Sequence, residues 1–326
     1  MKNKNKIKWG IIGLGNIANQ FAADLLLIED AVLFAVASRN KQNAADFAEK
    51  YNCTKAYDSY DALFEDDEID IVYIATPHNL HAELSIKALE NGKHVLCEKP
   101  LALSYKDAVR MMEASRKHNK FFMEAFWTRF IPSVQEALAK VQEGIIGDVK
   151  YVKADFAFCA DEKEGGRLFD KNLGGGALYD VGVYPLFLSY IFLGIPKEII
   201  AKSILHQNGI DLQTSMILQY ENAQAVLQAS IVSESDMKAT IGGTQGRIEL
   251  NSPWFIADGY SVAKNDKEEI FSLPNLGKGY THEALECHDC IRNNQIESKL
   301  WSHQNSLDLS KILEEIKNQI GLSFEK

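Results

Sequence analysis

Disulfides, membrane spans and basic patches are all missing from this chain. Its five cysteines (Cys53, Cys97, Cys159, Cys287 and Cys290) are odd in number and scattered, which excludes the disulfide framework of a small secreted domain. No window approaches the roughly 20 apolar residues that a membrane span requires. The start lacks the apolar region and small-residue cleavage site of a signal peptide, so the expected location is cytoplasmic with no membrane partner. Net charge is −10, and no basic stripe offsets it, so nucleic acid is not an expected partner. The one dense basic cluster, Lys2, Lys4, Lys6 and Lys8, reads as a solvated start. Cys287 and Cys290 form a C-x-x-C beside His282, Glu283 and His288, but a second ligand pair at finger-like spacing is missing and the segment reads as a helix. The expected metal is therefore none.

A chain of 326 residues exceeds the usual size of one core, and 46% hydrophobic content is ample for two. The first 125 residues alternate short apolar strands with helices: Ile7–Ile12, Val32–Ala37, Ile69–Ala75, His94–Cys97 and Phe121–Glu124 read as strands. Apolar strands alternating with helices imply a doubly wound parallel sheet, α/β in class. Near Ala125 the rhythm changes. Strand-like runs between Glu198 and Leu250, separated by turns, predict an α+β second domain with a large, mostly antiparallel sheet. The expected domains are 1–124, Rossmann, and 125–326, for substrate and oligomerisation, with the last helices free to pack back on the first.

Gly13-Leu14-Gly15-Asn16-Ile17-Ala18 fits G-x-G-x-x-[GA] between a strand and a helix, the context in which the pattern has meaning. Gly13 permits the tight turn, Gly15 lets a pyrophosphate approach the backbone, and Ala18 lets the helix lie close on the sheet. The helix that opens with Asn16 and Ile17 offers free N–H groups to phosphate. About 20 residues on, where NAD sites carry an acid for the ribose 2′-hydroxyl, the chain reads Val36-Ala37-Ser38-Arg39-Asn40. Ser38 can bond a 2′-phosphate and Arg39 can pair with it or stack on adenine. The expected cofactor is NADP rather than NAD.

Further motifs follow in order: Ala75-Thr76-Pro77-His78-Asn79-Leu80-His81, Cys97-Glu98-Lys99-Pro100-Leu101, Phe122 to Phe130, Arg167-Leu168, and Leu173 to Pro185 with its Gly174-Gly175-Gly176 run. Together they resemble the glucose–fructose oxidoreductase, inositol dehydrogenase and related sugar dehydrogenase family (Gfo/Idh/MocA). The resemblance runs nearly end to end and is nearest the dimeric dihydrodiol dehydrogenase and NADP-dependent D-xylose dehydrogenase branch. Many members carry His at the end of D-x-x-x-H, whereas this chain has Asp180 and Tyr184, which points away from inositol dehydrogenases.

The resemblance implies an NADP-dependent dehydrogenase acting on a secondary alcohol, an aldose such as D-xylose or D-glucose, or a trans-dihydrodiol. It also implies a homo-oligomer, a dimer or higher. Lys99, Tyr184 and Asp180 are the candidate catalytic residues. Tyr and Lys have unperturbed pKa values of about 10 and 10.4, and a nearby ammonium favours tyrosinate. Tyr184 is then the acid/base with Lys99 as polariser; the alternative gives the proton to Lys99. Asp180 either orients Lys99, binds a second hydroxyl or braces its helix. Thr76, Pro77, His78, His81 and Glu98 are candidates for the ribose and nicotinamide side, and His81 serves equally as a helix-start residue satisfying backbone groups. Trp127, Arg129 and Arg167 are candidates for the substrate wall or, equally, for packing and ion pairs. Two other functions stay open: another oxidoreductase of the family, acting on inositol, an amino sugar, a ketone or a bilin-like substrate, and a non-catalytic NADP(H) sensor.

Overall fold

The computed structural model describes residues 6–161 and 166–324, so Lys2 and Lys4 of the basic cluster lie outside the described residues. Lys8 is ion-paired with Glu68 at 2.9 Å. The chain divides into two compact units, Met1–Phe130 with Leu276–Leu307 and Ile131–Asn275 with Asp308–Lys326.

In the first unit the elements run β1 (Ile7–Ile12), α1 (Asn16–Leu25), β2 (Ala31–Ala37), α2 (Lys41–Tyr51), β3 (Lys55–Tyr57), α3 (Tyr60–Phe64), β4 (Ile71–Ile74), α4 (His81–Glu90), β5 (His94–Glu98), α5 (Tyr105–His118) and β6 (Phe122–Ala125). The six strands are all parallel, in the order β3-β2-β1-β4-β5-β6. This is a doubly wound sheet whose strand order reverses between β1 and β4, the crevice where such folds bind ligands. Every residue of β4 and β6 is buried, which is why β4 reads as an unbroken apolar run; β6 buries one carboxyl, Glu124, among its apolar residues. The helices start where the side chains tell them to. Asn40 accepts from the N–H groups of Gln42 and Asn43, and Ser104 accepts from that of Asp107. Both helices end on an asparagine with positive φ, Asn52 and Asn119.

The second unit contains α6 (Pro132–Gln142), β7 (Val149–Ala157), a π-helical turn (Leu178–Gly182), α7 (Val183–Leu193), β8 (Glu198–Leu205), β9 (Asp211–Gln219), β10 (Gln224–Ser230), β11 (Ala239–Gly243), β12 (Arg247–Leu250), β13 (Gly259–Lys264) and β14 (Lys267–Ser272). Its eight-stranded sheet has the order β14-β13-β12-β11-β7-β10-β9-β8 and is antiparallel except where β10 pairs with β7. Strand residues alternate, as in β10, where Ala225, Leu227 and Ala229 are buried and Gln224 and Val226 are exposed. α7 packs on the buried face against β7 and β10. Its apolarity corrects the expectation that no segment is long and apolar enough to span a membrane. Lys171–Leu193 meets that test by length and composition, but 78% of the window lies buried in the protein, so the apolar surface belongs to a core helix. The opposite face of the sheet carries Ile200, Ile217 and Val226 side by side in register, all exposed.

Two C-terminal helices complete the chain, α8 (Tyr280–Arg292) and α9 (His303–Gln319). α8 belongs to the first unit and lies on α1. Buried Asp24 of α1 accepts from the N–H groups of Lys278 and Tyr280 and so caps the start of α8. Farther along, His288 bonds Asp30 through Nδ1 while its Nε2 accepts from the Trp9 indole, so a neutral ring with the proton on Nδ1 fits both partners. Cys287 and Cys290 are buried free thiols on this helix.

Burial lowers the pKa of several histidines. His94 at the start of β5 accepts the Phe121 N–H at 2.9 Å, and burial pushes its pKa down to about 4. A histidine depressed in the folded state contributes stability that is complete above the unfolded value and lost as pH falls toward the folded one. From those values the loss at pH 5 is about 2 kcal/mol. His94→Asn keeps an acceptor that does not titrate. Urea unfolding at pH 7.5 and 5.0 should show a pH dependence shifted by about that amount in the variant. Identical pH dependence in the two proteins would count against a neutral buried His94.

Candidate cofactor and active-site residues

The glycine turn after β1 is shaped by its neighbour strand. Gly13 has φ +80°, and a Cβ there would stand 2.5 Å from the backbone carbonyl of Ala75, just past β4. Only a residue without a side chain fits both the conformation and the approach. Gly15 differs. Its φ is −87°, and a Cβ would meet nothing within 4 Å. The open space lies directly ahead of the α1 N-terminus, where Asn16 and Ile17 are exposed and the first turn carries no acid. Ala18 is fully buried against the sheet. Open backbone, unopposed N–H groups and the positive end of a helix suit a pyrophosphate.

Beyond β2, Ser38 is half-buried and its hydroxyl accepts the Asn40 N–H at 3.2 Å. Arg39 is exposed and has no carboxylate partner among the described residues. Ser38 and Arg39 thus stand just past the carboxyl end of β2, with no acid between them.

At the carboxyl edge of the same sheet, the loops after β4 and β5 are tied together. His81 is fully buried, with Nδ1 3.0 Å from the Pro100 carbonyl and Nε2 2.9 Å from that of Thr76. It acts as a strut joining Thr76-Pro77-His78 to Glu98-Lys99-Pro100. His78 is buried with its ring edge-on to His81, and the Thr76 hydroxyl is buried without a hydrogen-bond partner. Such an orphan donor at the rim of the phosphate cradle fits a ligand that completes it.

Lys99 is half-buried and its loop is fixed from both sides. The Glu98 carboxylate accepts from the Tyr73 hydroxyl of β4 and from the Lys99 N–H. Glu124 of β6 accepts the Leu101 N–H at 2.9 Å and the Trp301 indole at 3.3 Å. Burial pushes Glu124 up to about 7. On α8, Glu283 has both oxygens buried without partners, and burial and the neighbouring Glu98 raise it well above the carboxylate range. Trp127 stacks on Tyr280 with centroids 4.6 Å apart, and the Arg129 Nε donates to the Leu300 carbonyl at 3.0 Å. These two side chains make contacts that pack the first unit.

The remaining candidates cluster in the second unit. Asp180 stands in the π-helical turn and is ion-paired with Arg167. Tyr184 follows on the first turn of α7, buried, with Phe156 and Phe255 at centroid distances of 5.3 and 5.6 Å. Those two rings stack on each other at 4.0 Å and 7°. The triple glycine before the turn has a steric cause: a Cβ on Gly175 would lie 2.5 Å from the carbonyl oxygens of Arg167 and Leu168. Gly182 sits against Ala229 of β10, where a Cβ would come within 3.1 Å of the alanine methyl. The π turn ends at Gly182, and Pro185 is tolerated in the first turn of α7. Tyr73, Phe156, Phe255 and Asp211, a buried aspartate described below, were not among the residues singled out from the sequence. The alternating Phe156 and Phe158 were a visible signal for an aromatic wall; Asp211 had none.

Comparison with known proteins agrees with this geometry. Residues 7–126 match the GFO_IDH_MocA oxidoreductase family with its NAD-binding Rossmann fold, and residues 134–249 match the GFO/IDH/MocA C-terminal domain. The chain is 36% identical to trans-1,2-dihydrobenzene-1,2-diol dehydrogenase of Xenopus tropicalis over 97% of its own length and 99% of the relative's. It is 32% identical to the enzyme of that name from Homo sapiens, covering 98% of each. Among solved structures it is similar to a 3-ketoreductase from Actinomadura kijaniata in complex with NADP and TDP-benzene, with 26% identity, a TM-score of 0.87, and coverage of 97% and 98%. An aldose-aldose oxidoreductase from Caulobacter crescentus shares the fold at 22% identity and a TM-score of 0.88, over 96% and 97% of the two chains. The chain belongs to the Gfo/Idh/MocA oxidoreductase family, with an NAD(P)-binding Rossmann domain.

A Cβ at Gly15 meets no other group within 4 Å, so Gly15→Val intrudes on the space ahead of α1. The variant should melt near the wild-type temperature without ligand and lose the rise in melting temperature that NADPH gives the wild type. A full NADPH-dependent rise in Gly15→Val would remove the phosphate from this turn.

Proposed function

We propose, with membership of this oxidoreductase family as the premise, that the protein is an NADP-dependent dehydrogenase acting on a secondary alcohol of a cyclic trans-diol or an aldose. The observation that carries the reading is Lys99, half-buried at the carboxyl edge of the parallel sheet beside the phosphate cradle, its loop pinned by Glu98 and Glu124. When bound, NADP supplies the hydride acceptor. The protein's part is to hold the carbinol and manage its proton.

NADP is favoured over NAD by Arg39, exposed and with no carboxylate partner among the described residues, and by half-buried Ser38 at the end of β2, a position without the acid that a ribose 2′-hydroxyl needs. Gly13, Gly15, Asn16, Ile17 and Ala18 would hold the pyrophosphate. Thr76, Pro77, His78 and Glu98 would lie on the ribose and nicotinamide side, with His81 fixing their loop from behind.

Tyr184 is assigned the acid/base role and Lys99 the role of anchoring and polarising the hydroxyl. Asp180, already paired with Arg167, would anchor a second hydroxyl or the ring that carries it. The flat Phe156 and Phe255 rings beside Tyr184 suit the carbon face of a cyclic substrate. The names of relatives matched over nearly their whole length point the same way, toward a trans-diol. The same proposal includes a cytoplasmic location, supported by five free thiols, and self-association through the exposed sheet face that carries Ile200, Ile217 and Val226.

Two measurements test this. Lys99→Met should lower kcat by roughly a hundred- to ten-thousand-fold while NADPH still quenches protein fluorescence with wild-type affinity; normal turnover would end the central claim. Arg39→Asp should raise the KM for NADP about tenfold or more and leave that for NAD within a factor of about three. Equal changes for the two cofactors would sink the NADP assignment.

A further inference from the structure

The π-helical turn that carries Asp180 has no cap of its own. Gly176 and Ala177 precede it, and neither brings a side chain that can accept from the first N–H groups. The acceptor comes instead from β9, far along the chain. Asp211, fully buried, accepts the Leu178 N–H through Oδ2 at 2.7 Å, and the Thr214 hydroxyl donates to the same oxygen, also at 2.7 Å. The other oxygen lies where a Cβ on Gly176 would be, 2.3 Å away, and Gly176 has φ +115°. That glycine is required twice, by its conformation and by the carboxylate pressed against it. At the far end of the turn, Gly182 abuts Ala229 of β10. The turn is therefore held at both ends by neighbouring strands of the large sheet, and its one extra residue per turn sets the angle at which Asp180 and Tyr184 leave the helix.

We propose that Asp211 is a positioning residue that fixes this turn from the sheet and acts on turnover through Tyr184. The inference rests on the acid/base role given to Tyr184. In this scheme Asp211 touches the turn and not the substrate: Oδ2 accepts from the Leu178 N–H and the Thr214 hydroxyl, and Oδ1, pressed against Gly176, has no hydrogen-bond partner among the described residues. Removing it frees the N-terminal N–H groups of the turn to seek other partners, and the helix can relax from π toward α geometry. Such a slip rotates Asp180 away from Arg167 and Tyr184 away from Phe156 and Phe255. Nothing in the phosphate cradle of the first unit changes.

The test is a double-mutant cycle on the full-length protein, assayed with NADP and with trans-1,2-dihydrobenzenediol or D-xylose, whichever it oxidises. Asp211→Ala should lower kcat about tenfold or more, with KM changed less than about threefold and NADPH affinity unchanged. Asp211→Asn keeps an oxygen acceptor and should restore kcat to within about threefold of wild type. In a Tyr184→Phe background, Asp211→Ala should cost little more, because its effect has already been removed. Additive losses in that background would overturn the positioning role and leave Tyr184 in place. A fully active Tyr184→Phe, or failure to oxidise either substrate, would instead overturn the functional reading from which this one starts. Should Asp211→Ala fail to fold, Thr214→Val loosens the same oxygen more gently and is expected to show a smaller drop in kcat with the same dependence on Tyr184. Wild-type kcat in a folded Thr214→Val and in Asp211→Asn, with losses confined to an unfolded Asp211→Ala, would mean that Asp211 serves the fold alone.

Discussion

The cofactor end of this protein depends on one close approach, the backbone of Gly13 against the carbonyl of Ala75. That contact fixes the turn after β1 to the end of β4, at the place where the strand order reverses. Once it is made, the space beside Gly15 and the open start of α1 are determined. So is the direction in which Thr76 and Pro77 leave the strand. His81 extends the same constraint sideways by joining the β4 loop to the β5 loop, and Glu98 and Glu124 finish it by holding the backbone on either side of Lys99. A flexible lysine thus stands on a loop whose backbone is held on both sides.

The second unit reaches a comparable rigidity by different means. Its key helix begins irregularly, with a π turn where an α turn would be cheaper to form. Steric pressure at Gly175, Gly176 and Gly182 and the buried carboxylate of Asp211 leave the turn no other arrangement. The aromatic rings around Tyr184 come from β7 and from the short helical turn at Trp254–Ile256, so the pocket of the phenol is assembled from distant parts of the chain.

What could be read from the sequence follows from how local each signal is. The turn at Gly13 to Ala18, the loops at Ala75 to His81 and Cys97 to Leu101, and the helices from Lys41 to Tyr51 and Tyr105 to His118 declare themselves within a few residues of their own chemistry. β3 and α3 did not, because three and five residues carry no measurable period. Asp211 was invisible for another reason: the N–H it accepts is 33 residues away, and an isolated aspartate at the start of a strand resembles any turn residue. The stacking of Phe156 on Phe255 is likewise a product of the fold. Trp127 and Arg129 were legible as a motif, but only their surroundings show that one stacks on Tyr280 and the other serves the Leu300 carbonyl.

Glu124 has a consequence of its own. Its carboxyl is raised in the folded state to about 7, so the stability it contributes is complete at low pH and fades as pH rises through that value. His94, lowered to about 4, works in the opposite direction over nearly the same interval. The two titrations oppose one another inside a single unit. A level stability profile across mildly acidic pH would then be a compensation, with two steep and contrary responses hidden beneath it, and the loop that bears Lys99 would be anchored by one of the two.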